Sequence, residues 1–406
     1  MKSNVLNILT LLLLFTACET KEEEFDLLGS VSIQLVHPSE SAKNIDLSNI
    51  EITLSNAVDN TIKSAKTDAN GIALFAQLPF ATYNANATKK IEEFEITLTG
   101  VLNNIVVQDI GTTHQEITVN VVEKKSDLVI KEVFATHFDY FTNGYKDQFV
   151  EIFNNSSEVI YADGLYVGSS TPSFAKDVAD KPLSEYVDIE KKLYCDWLVQ
   201  LPGDGKSYPI APSKSIIICL NAMNFEETNL DLTIADFEHY TVEWLEDQGR
   251  QAAIYMDFDN SEVKNTLPIF MCEGRQHLYL QSDRIGLFLF RDSSFDKDVR
   301  EIVKYSYKGR KKEKTFLTVG TEKVIDAVEI LGTSEQGRWK TLASFLDASF
   351  CYAKPDGQAY QSGISLVRKL DEKASNMLGR NILIDTNNSY NDFFASPTPQ
   401  PKSYEQ

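Results

Sequence analysis

The chain has 406 residues, of which 59 are Asp or Glu and 39 are Lys or Arg, so its formal net charge at pH 7 is −20. This excess of acidic residues argues against nucleic acid as a partner and against docking onto anionic lipid by charge, because both depend on clustered Lys and Arg. A hydrophobic share of 43% is enough for buried cores in two or three domains and excludes a disordered chain.

The first 17 residues have the features of an export signal. Lys2 gives a short positive start, residues 8–15 form an apolar run, and two small residues stand directly before Cys18. The run is too short to cross about 30 Å of hydrocarbon as a helix. The arrangement resembles a bacterial lipobox, which implies cleavage after residue 17 and a lipid attached to Cys18. The alternative is an ordinary cleaved signal with a chance cysteine.

Residues 18–28 follow as an acidic tether, in which Lys21 is followed by three consecutive glutamates. A charged stretch beside a lipid anchor is commonly a solvated spacer. The order of charges also resembles the surface-export signal of Bacteroidota lipoproteins. That resemblance implies a protein anchored by its lipid in the outer membrane and facing the cell exterior. An anchor that faces the periplasm is the alternative.

Residues 29–123 are predicted to form a first β-sandwich. Several short segments alternate apolar and polar side chains, as strands do: Val31–Val36, Ile50–Ser55, Ile72–Leu78, Phe94–Gly100 and Ile117–Glu123. Asp68 to Gly71 predicts a tight turn in which the glycine takes a positive φ. The stretch from Thr67 to Ala87 resembles prealbumin-like, or carboxypeptidase-regulatory-like, modules, with Ala81 in place of a usual glycine. The resemblance implies a spacer or docking unit without catalytic residues.

After a polar linker, residues 128–406 are predicted to form a second sandwich. Six blocks in order resemble a lamin-tail domain, which has an immunoglobulin-like fold: Leu128–Phe134, Asp147–Gly168, Tyr208–Phe225, Val324–Gly332, Ile364–Leu370 and Asp385–Pro399. The apolar run Ile216–Cys219 is typical of a central strand. Such a core needs about 110 residues. We assign the excess to insertions near 169–207, 226–282 and 291–322, where function is expected to lie.

The order of lipobox, prealbumin-like module and lamin-tail-like domain resembles an uncharacterised family of Bacteroidota lipoproteins, defined by a domain of unknown function. Blocks at Asp231–Tyr240 and Asp257–Phe270 contribute to this likeness, which covers nearly the whole mature chain. It implies an accessory of an outer-membrane, energy-coupled uptake system, often in iron-related settings.

Motifs for chemistry are missing from the sequence, which has neither G-x-S-x-G nor a phosphate loop. His137 and His239 have acidic neighbours, so either is a candidate metal ligand or acid–base group, although a structural role is more common for a lone histidine. Asp257, Asp259 and Glu262 place oxygens at alternating positions, as calcium loops do, but without the glycine and final Glu of an EF-hand. A solvated acidic turn is the commoner interpretation.

The cysteines after Cys18 are Cys195, Cys219, Cys272 and Cys351. None has CxxC spacing, so neither a zinc site nor a redox motif is indicated. Cys219 lies in an apolar run and is predicted to be a buried small hydrophobe. Outside the cytoplasm a disulfide is allowed, and Cys272–Cys351 is the pair that we favour.

Aromatic residues fall in or near the insertions: Trp197, Trp244, Trp339, Tyr194, Tyr240 and Tyr255. We expect them to close the small cores of the insertions; exposed platforms for sugars, flat ligands or partners are the alternative. We therefore predict a non-enzymatic surface lipoprotein that binds an unidentified ligand, or an outer-membrane receptor, for an uptake system. The alternatives are a glycan-binding or adhesive protein, and a hydrolase with its site in the insertions. We assign no catalytic, cofactor-binding or metal-binding residue.

Overall fold

The computed structural model describes residues 27–37, 44–57, 59, 61–92, 96–123, 126–136, 146–170, 191–307, 310–332, 340–353 and 362–405. This part of the chain is built of strands with a few short helices, which confirms the predicted all-β class. None of the helices in it is long and apolar enough to cross a membrane. The chain divides into two compact units, the first taken from 1–36, 47–89 and 98–120, and the second from 37–46, 90–97 and 121–406.

The first unit contains two sheets, in the strand orders β4-β1-β7 and β3-β2-β5-β6-β8. Their strands, some of which run past the limits of the unit, are β1 Leu28–Val36, β2 Glu51–Asn56, β3 Ile62–Lys66, β4 Ile72–Pro79, β5 Ala81–Ile91, β6 Ile96–Val107, β7 Thr112–Thr118 and β8 Asn120–Glu123. Alternate residues of β1 are buried, as the sequence pattern predicts: Val31, Ile33 and Leu35. Strand β3 was not predicted, because its side chains are mostly exposed and show no apolar alternation.

The turn predicted at Asp68 is present, and its geometry depends on a carboxylate and a glycine. Asp68 Oδ1 accepts the N–H groups of Asn70 (2.8 Å) and Ile72 (2.9 Å). Gly71 has a φ of +75°, a conformation that costs glycine little. Near the later corner, where Ala81 replaces a glycine, Gln77 takes the positive φ instead (+56°).

The second unit carries the longer list of elements. Its helices are α1 Val242–Asp247, α2 Glu372–Leu378 and α3 Ser389–Asp392, with 3-10 turns at Glu226–Thr228 and Thr321–Lys323. Its strands are β9 Leu128–Phe134, β10 Phe149–Asn154, β11 Ile160–Tyr161, β12 Tyr166–Ser170, β13 Lys192–Cys195, β14 Trp197–Gln200, β15 Pro209–Ile210, β16 Ser215–Cys219, β17 Asn224–Phe225, β18 Leu230–Asp231, β19 Phe237–Glu238, β20 Lys264–Asn265, β21 Leu267–Met271, β22 Arg284–Phe290, β23 Arg300–Tyr307, β24 Arg310–Gly320, β25 Val324–Leu331, β26 Ser365–Arg368 and β27 Phe393–Ser396.

Two sheets of this unit enclose its main core. One has the order β20-β19-β16-β10-β9-β26-β27 and the other the order β21-β14-β12-β22-β25. Ile130, Ile152 and Ile218 of the first sheet share a buried cluster with Leu287 and Val328 of the second, as in a β-sandwich. The blocks that resemble a lamin-tail domain supply strands of both sheets. Strand β16 lies between β10 and β19, which confirms the predicted central strand.

A third layer packs on the other face of the five-stranded sheet. Strands β13, β24 and β23 form it, in that order. Phe288 and Phe290 of β22 are buried with Phe316 and Leu317 of β24. The third predicted insertion, residues 291–322, therefore contains a long hairpin that covers a sheet. This layer positions the start of β23 beside the end of β21.

A β-bulge in β9 places two adjacent charged side chains on the outer face of the seven-stranded sheet. Glu151 is paired with Glu132 and Ile152 with Ile130, so Lys131 is the extra residue. Lys131 Nζ donates to Glu151 Oε2 at 2.7 Å and to the carbonyl of Gln400 at 2.8 Å. Glu132 Oε1 accepts the backbone N–H of Gln400 at 2.8 Å. The C-terminal segment thus closes over a buried ionic cluster.

The second buried cluster surrounds Arg368 of β26, which is 1% exposed. Its Nη2 lies 2.7 Å from Asp326 Oδ2, and its Nη1 lies 3.4 Å from Asp385 Oδ1 and 3.6 Å from Asp392 Oδ2. Its Nε donates to the carbonyl of Ile130 at 2.8 Å. The acidic motif near the end of the chain is therefore a cage for an arginine, which ties α3 and the preceding loop to two strands.

We predict that Arg368→Met lowers the free energy of unfolding by about 3–5 kcal/mol, because it leaves buried carboxylates without their cation. Urea denaturation at pH 7 measures the loss. Arg284→Met is the matched control: Arg284 pairs with Asp283, and both side chains are more than a third exposed. The control is expected to cost no more than about 1 kcal/mol. Equal losses in the two variants would contradict the cage.

A second prediction concerns Glu132, whose burial raises its pKa to about 7. An unfolded Glu titrates near pH 4.3, so the folded state binds more protons between these values and its stability falls as the pH rises through that window. Glu132→Gln cannot ionise. The difference in free energy of unfolding, variant minus wild type, should rise from about pH 4.5 to about pH 7 and then level off. Chemical denaturation of both proteins across that pH range measures it. Glu246→Gln, at an exposed position of α1, should run parallel to wild type.

Candidate ligand-binding cleft

His239 directly follows β19, and its ring is buried in the second unit. Its Nδ1 lies 2.8 Å from Thr266 Oγ1, and the ring meets Trp197 edge-on, with 6.0 Å between centroids. Burial lowers the pKa of His239 to about 3, so the ring stays neutral. The acidic neighbours Asp236 and Glu238 accept backbone N–H groups instead of facing the ring. His239 thus fills a structural role, and His137 lies outside the described residues.

The segment considered as a calcium loop is a series of capped turns. Asp257 is buried, and its Oδ2 accepts both the N–H (3.0 Å) and the hydroxyl (2.5 Å) of Thr241. Burial raises the pKa of Asp257 to about 6. Asp259 Oδ1 accepts the amide of Asn265 at 2.8 Å, while Glu262 is exposed. In the part of the chain that the structure describes, no three His, Cys, Asp or Glu residues are grouped to hold a metal ion.

The disulfide that we favoured, Cys272–Cys351, is wrong: both cysteines are free and buried, as are Cys195 and Cys219. Cys272 belongs to the core under the three-stranded layer, whereas Cys351 belongs to the main sandwich core. Their sulfurs face different carbonyl oxygens, those of Cys195 (3.6 Å) and Glu329 (3.5 Å). Cys219 packs in an apolar cluster, which confirms its predicted role as a small hydrophobe.

The aromatic residues near the insertions separate into core and surface positions. Tyr194 is buried in the core under the three-stranded layer, as expected, whereas Trp197 is buried in the main sandwich core and not in a small core of an insertion. Tyr240 is half-buried and Tyr255 is 69% exposed. Trp339 and the predicted lipid attachment at Cys18 lie outside the described residues. Trp244 differs from the others because its ring is half-buried at the edge of an open cleft.

This cleft has a volume of about 420 Å³ and lies between the second and third predicted insertions. One wall comes from α1 and the loop after it, through Trp244 and Arg250, and from β21, through Phe270. The other wall comes from the start of β23 and the turn before it, through Lys297 and Arg300. Residues about fifty positions apart are brought together because the hairpin β23–β24 covers the five-stranded sheet next to β21.

Aromatic rings and backbone carbonyls hold the two arginines of the cleft in place. The Arg250 guanidinium carbon lies 5.9 Å from the Trp244 ring centroid, and its nitrogens donate to the carbonyls of Met271, Cys272 and Arg275 at 2.9–3.0 Å. The Arg300 guanidinium lies 5.0 Å from the Phe270 ring centroid. Cation–π contacts of this kind orient a guanidinium without neutralising it. The cleft therefore presents positioned positive charge.

The cations of the cleft differ from the buried cations of the unit in their partners. Lys131, Arg275 and Arg368 each have a carboxylate within salt-bridge distance. By contrast, no carboxylate oxygen among the described residues lies within 4.0 Å of a side-chain nitrogen of Arg250, Lys297 or Arg300. Of these cleft residues, the sequence singles out Trp244 alone as a candidate binding residue. The sequence feature that could have pointed to the other cleft residues is the presence of basic residues within insertions that are otherwise acidic.

The chain is similar to a known protein family over a little less than half of its length. Residues 211–400 match the model of a family described as protein of unknown function (DUF4876). This confirms the prediction of an uncharacterised family with a domain of unknown function. The matched range contains each of Trp244, Arg250, Phe270, Lys297 and Arg300, so the cleft lies inside it. No curated protein matches the sequence.

Solved structures support the fold. A DUF4876 family protein from Bacteroides thetaiotaomicron is 21% identical with a TM-score of 0.55, over 90% of this chain and 94% of that one. A DUF3823 family protein from Parabacteroides merdae is 8% identical with a TM-score of 0.17, over 35% and 66% of the two chains. The major pilin SpaD from Corynebacterium diphtheriae is 12% identical with a TM-score of 0.19, over 42% and 43%. Only the first likeness is close enough to bear on the architecture.

We predict that the four cysteines remain reduced and unreactive in the folded protein. Burial raises the pKa of each thiol, that of Cys272 to about 12, so little thiolate forms at neutral pH. The full chain carrying Cys18→Ser, purified without reductant, should show no fast reaction with Ellman's reagent when folded. It should show four thiols per chain in guanidinium chloride. Two thiols after unfolding would reveal a disulfide and contradict the structure.

Proposed function

We propose that this protein is a non-enzymatic, lipid-anchored surface protein whose cleft binds a ligand on behalf of an outer-membrane uptake receptor. The cleft carries the proposal. Its volume lies in the usual range for small-molecule sites. It also combines two half-buried aromatic rings, those of Trp244 and Phe270, with the exposed cationic side chains of Lys297 and Arg300.

The position of the cleft supports a binding role. Its walls belong to elements packed on a sheet, because β21 and β23 are parts of hydrogen-bonded sheets. A site on such elements is held more rigidly than one on free loops. The lipobox at Cys18 and the acidic tether behind it support placement at the outer membrane, where a bound ligand can be passed to a receptor.

Groups with strongly shifted pKa values often mark active sites, but here they support the fold. His239, with a pKa near 3, hydrogen-bonds to Thr266 in a core. Glu132, with a pKa near 7, anchors the C-terminal segment. Neither lines the cleft. These assignments favour binding over acid–base catalysis.

Glycan binding or adhesion is the second candidate, and Trp244 is the observation that favours it. An indole at the edge of an open cleft suits the apolar face of a sugar ring. The two candidate functions use the same cleft and differ in what happens after binding. An uptake accessory passes its ligand to an outer-membrane receptor, whereas an adhesive protein stays bound to its glycan.

We predict that Gln248→Trp, which fills the cleft without a change of charge, abolishes ligand capture. Gln248 is exposed and lines the cleft one helical turn after Trp244. The full-length lipoprotein is used as bait on detergent-solubilised outer membranes, and mass spectrometry identifies bound proteins and small molecules. At least about a tenfold loss of a specific ligand or receptor is expected.

Gln108→Trp, at an exposed position of the first unit, is the matched control and should capture as well as wild type. Undiminished capture by Gln248→Trp would show that the cleft is not the binding site. Capture of surface glycans without a β-barrel receptor would favour the second candidate.

A further inference from the structure

The charge of the cleft contrasts with the charge of the chain. Arg250, Lys297 and Arg300 line it together with a single acid, Asp298, in a protein of net charge −20. Such a chain repels anions over most of its surface. A local excess of positive charge in such a protein therefore indicates the charge of the ligand that the cleft binds.

We infer that the cleft binds an organic anion, whose carboxylate or sulfate oxygens are held by Arg300 and Lys297. The inference rests on the proposed function and specifies the chemical class of the ligand. Arg300 is exposed, and its Nη1 donates to the carbonyls of Lys297 (2.5 Å) and Val299 (3.2 Å). Its Nε and Nη2 have no hydrogen-bond partner within the described ranges. A guanidinium with donors left over is suited to an oxyanion.

Lys297 adds a second donor next to the first. Its ammonium group donates to Gln200 Oε1 at 2.9 Å, which leaves two of its three protons for a ligand. The backbone carbonyl of Lys297 also anchors Arg300, so the two positive groups belong to one turn. Arg250 also lines the cleft, but its two terminal nitrogens already donate to backbone carbonyls, so it contributes positive charge and not a bidentate pair of free donors.

Nearby acids do not neutralise these groups. Glu301 follows Arg300 directly, but as the next residue of a strand it points to the other face, where it pairs with Lys192. Trp244 of α1 and Gln248, the residue directly after the helix, line the cleft four positions apart, whereas Glu243 and Asp247 of α1 do not line it. A neutral ligand would give no reason to hold three cations together with a single lining acid, Asp298, because like charges in proximity destabilise a fold.

Two sources of such an anion are chemically distinct: an acidic saccharide, and a small polycarboxylate without a sugar. Trigalacturonate and citrate represent them, and galactotriose is the neutral match of the first. Isothermal titration of each probe into the full-length lipoprotein in detergent micelles measures affinity. We expect trigalacturonate or citrate to bind, galactotriose to bind at least about tenfold more weakly than the bound anion, and added salt to weaken anion binding.

The variants Arg300→Gln and Lys297→Gln should each weaken anion binding at least about tenfold. Lys264→Gln, an equal charge change at an exposed site outside the cleft, should stay within about twofold of wild type. Circular dichroism and the unfolding midpoint confirm that each variant is folded. Saccharide binding is distinguished from polycarboxylate binding by which of the two anions binds more tightly.

Two results would overturn the inference: equal binding of galactotriose and trigalacturonate, or no binding of either anion. In both cases the proposed function is judged separately, by whether Gln248→Trp still loses its captured ligand. If that loss persists, the cleft binds a ligand of another class. If it does not, the proposed function fails as well.

Discussion

Charges that the sheets of the second unit bury need partners inside the protein, and much of the surrounding chain is arranged to provide them. Removing a charge from water is costly unless an opposite charge and hydrogen bonds replace the solvent. The bulge at Lys131 brings a lysine and a glutamate to one face, and the segment around Gln400 then covers both. Glu329 of β25 is likewise enclosed by the N–H groups of Thr341 and Leu342. Loops that look irregular in sequence are thus fixed by buried charge.

In the cleft, by contrast, the positive charges are not paired with carboxylates of the residues that the structure describes. Its arginines have aromatic rings and carbonyl oxygens as neighbours, which orient them and leave their charge in place. The cleft also differs in burial, since Lys297 and Arg300 are exposed whereas Lys131 and Arg368 are buried. In the binding role that we propose, a ligand supplies the opposite charge that the fold does not.

Much of the architecture was predictable because strands with a buried face show alternating apolar residues, and fully buried strands show a continuous apolar run. The alternation in β1 and the apolar run of β16 both gave the correct element. Prediction failed where an element is exposed, as in β3, whose side chains have no buried face to reveal it. The pairing of Cys272 with Cys351 failed for another reason: which core a residue enters depends on sheet order, and sheet order is not local information.

The candidate site was predictable only in part, for the same reason. Trp244 stands out in any sequence, but a basic residue does not stand out until its neighbours in space are known. Arg300 has a carboxylate next to it in sequence, in Glu301, and that carboxylate faces away from it and toward Lys192. Only the direction of side chains along β23 shows that the arginine is not neutralised.

The contact between Lys131 and Gln400 joins positions 269 residues apart, and β9 pairs with β26 across a separation almost as large. Contacts of such range make a domain slow to fold, because a long loop must close before its ends stabilise each other. A chain synthesised N-terminus first cannot complete this sheet until nearly all of the unit has been made. The second unit is therefore a late folder, and its first strands keep unpaired edges, which favour aggregation, until the last strands arrive.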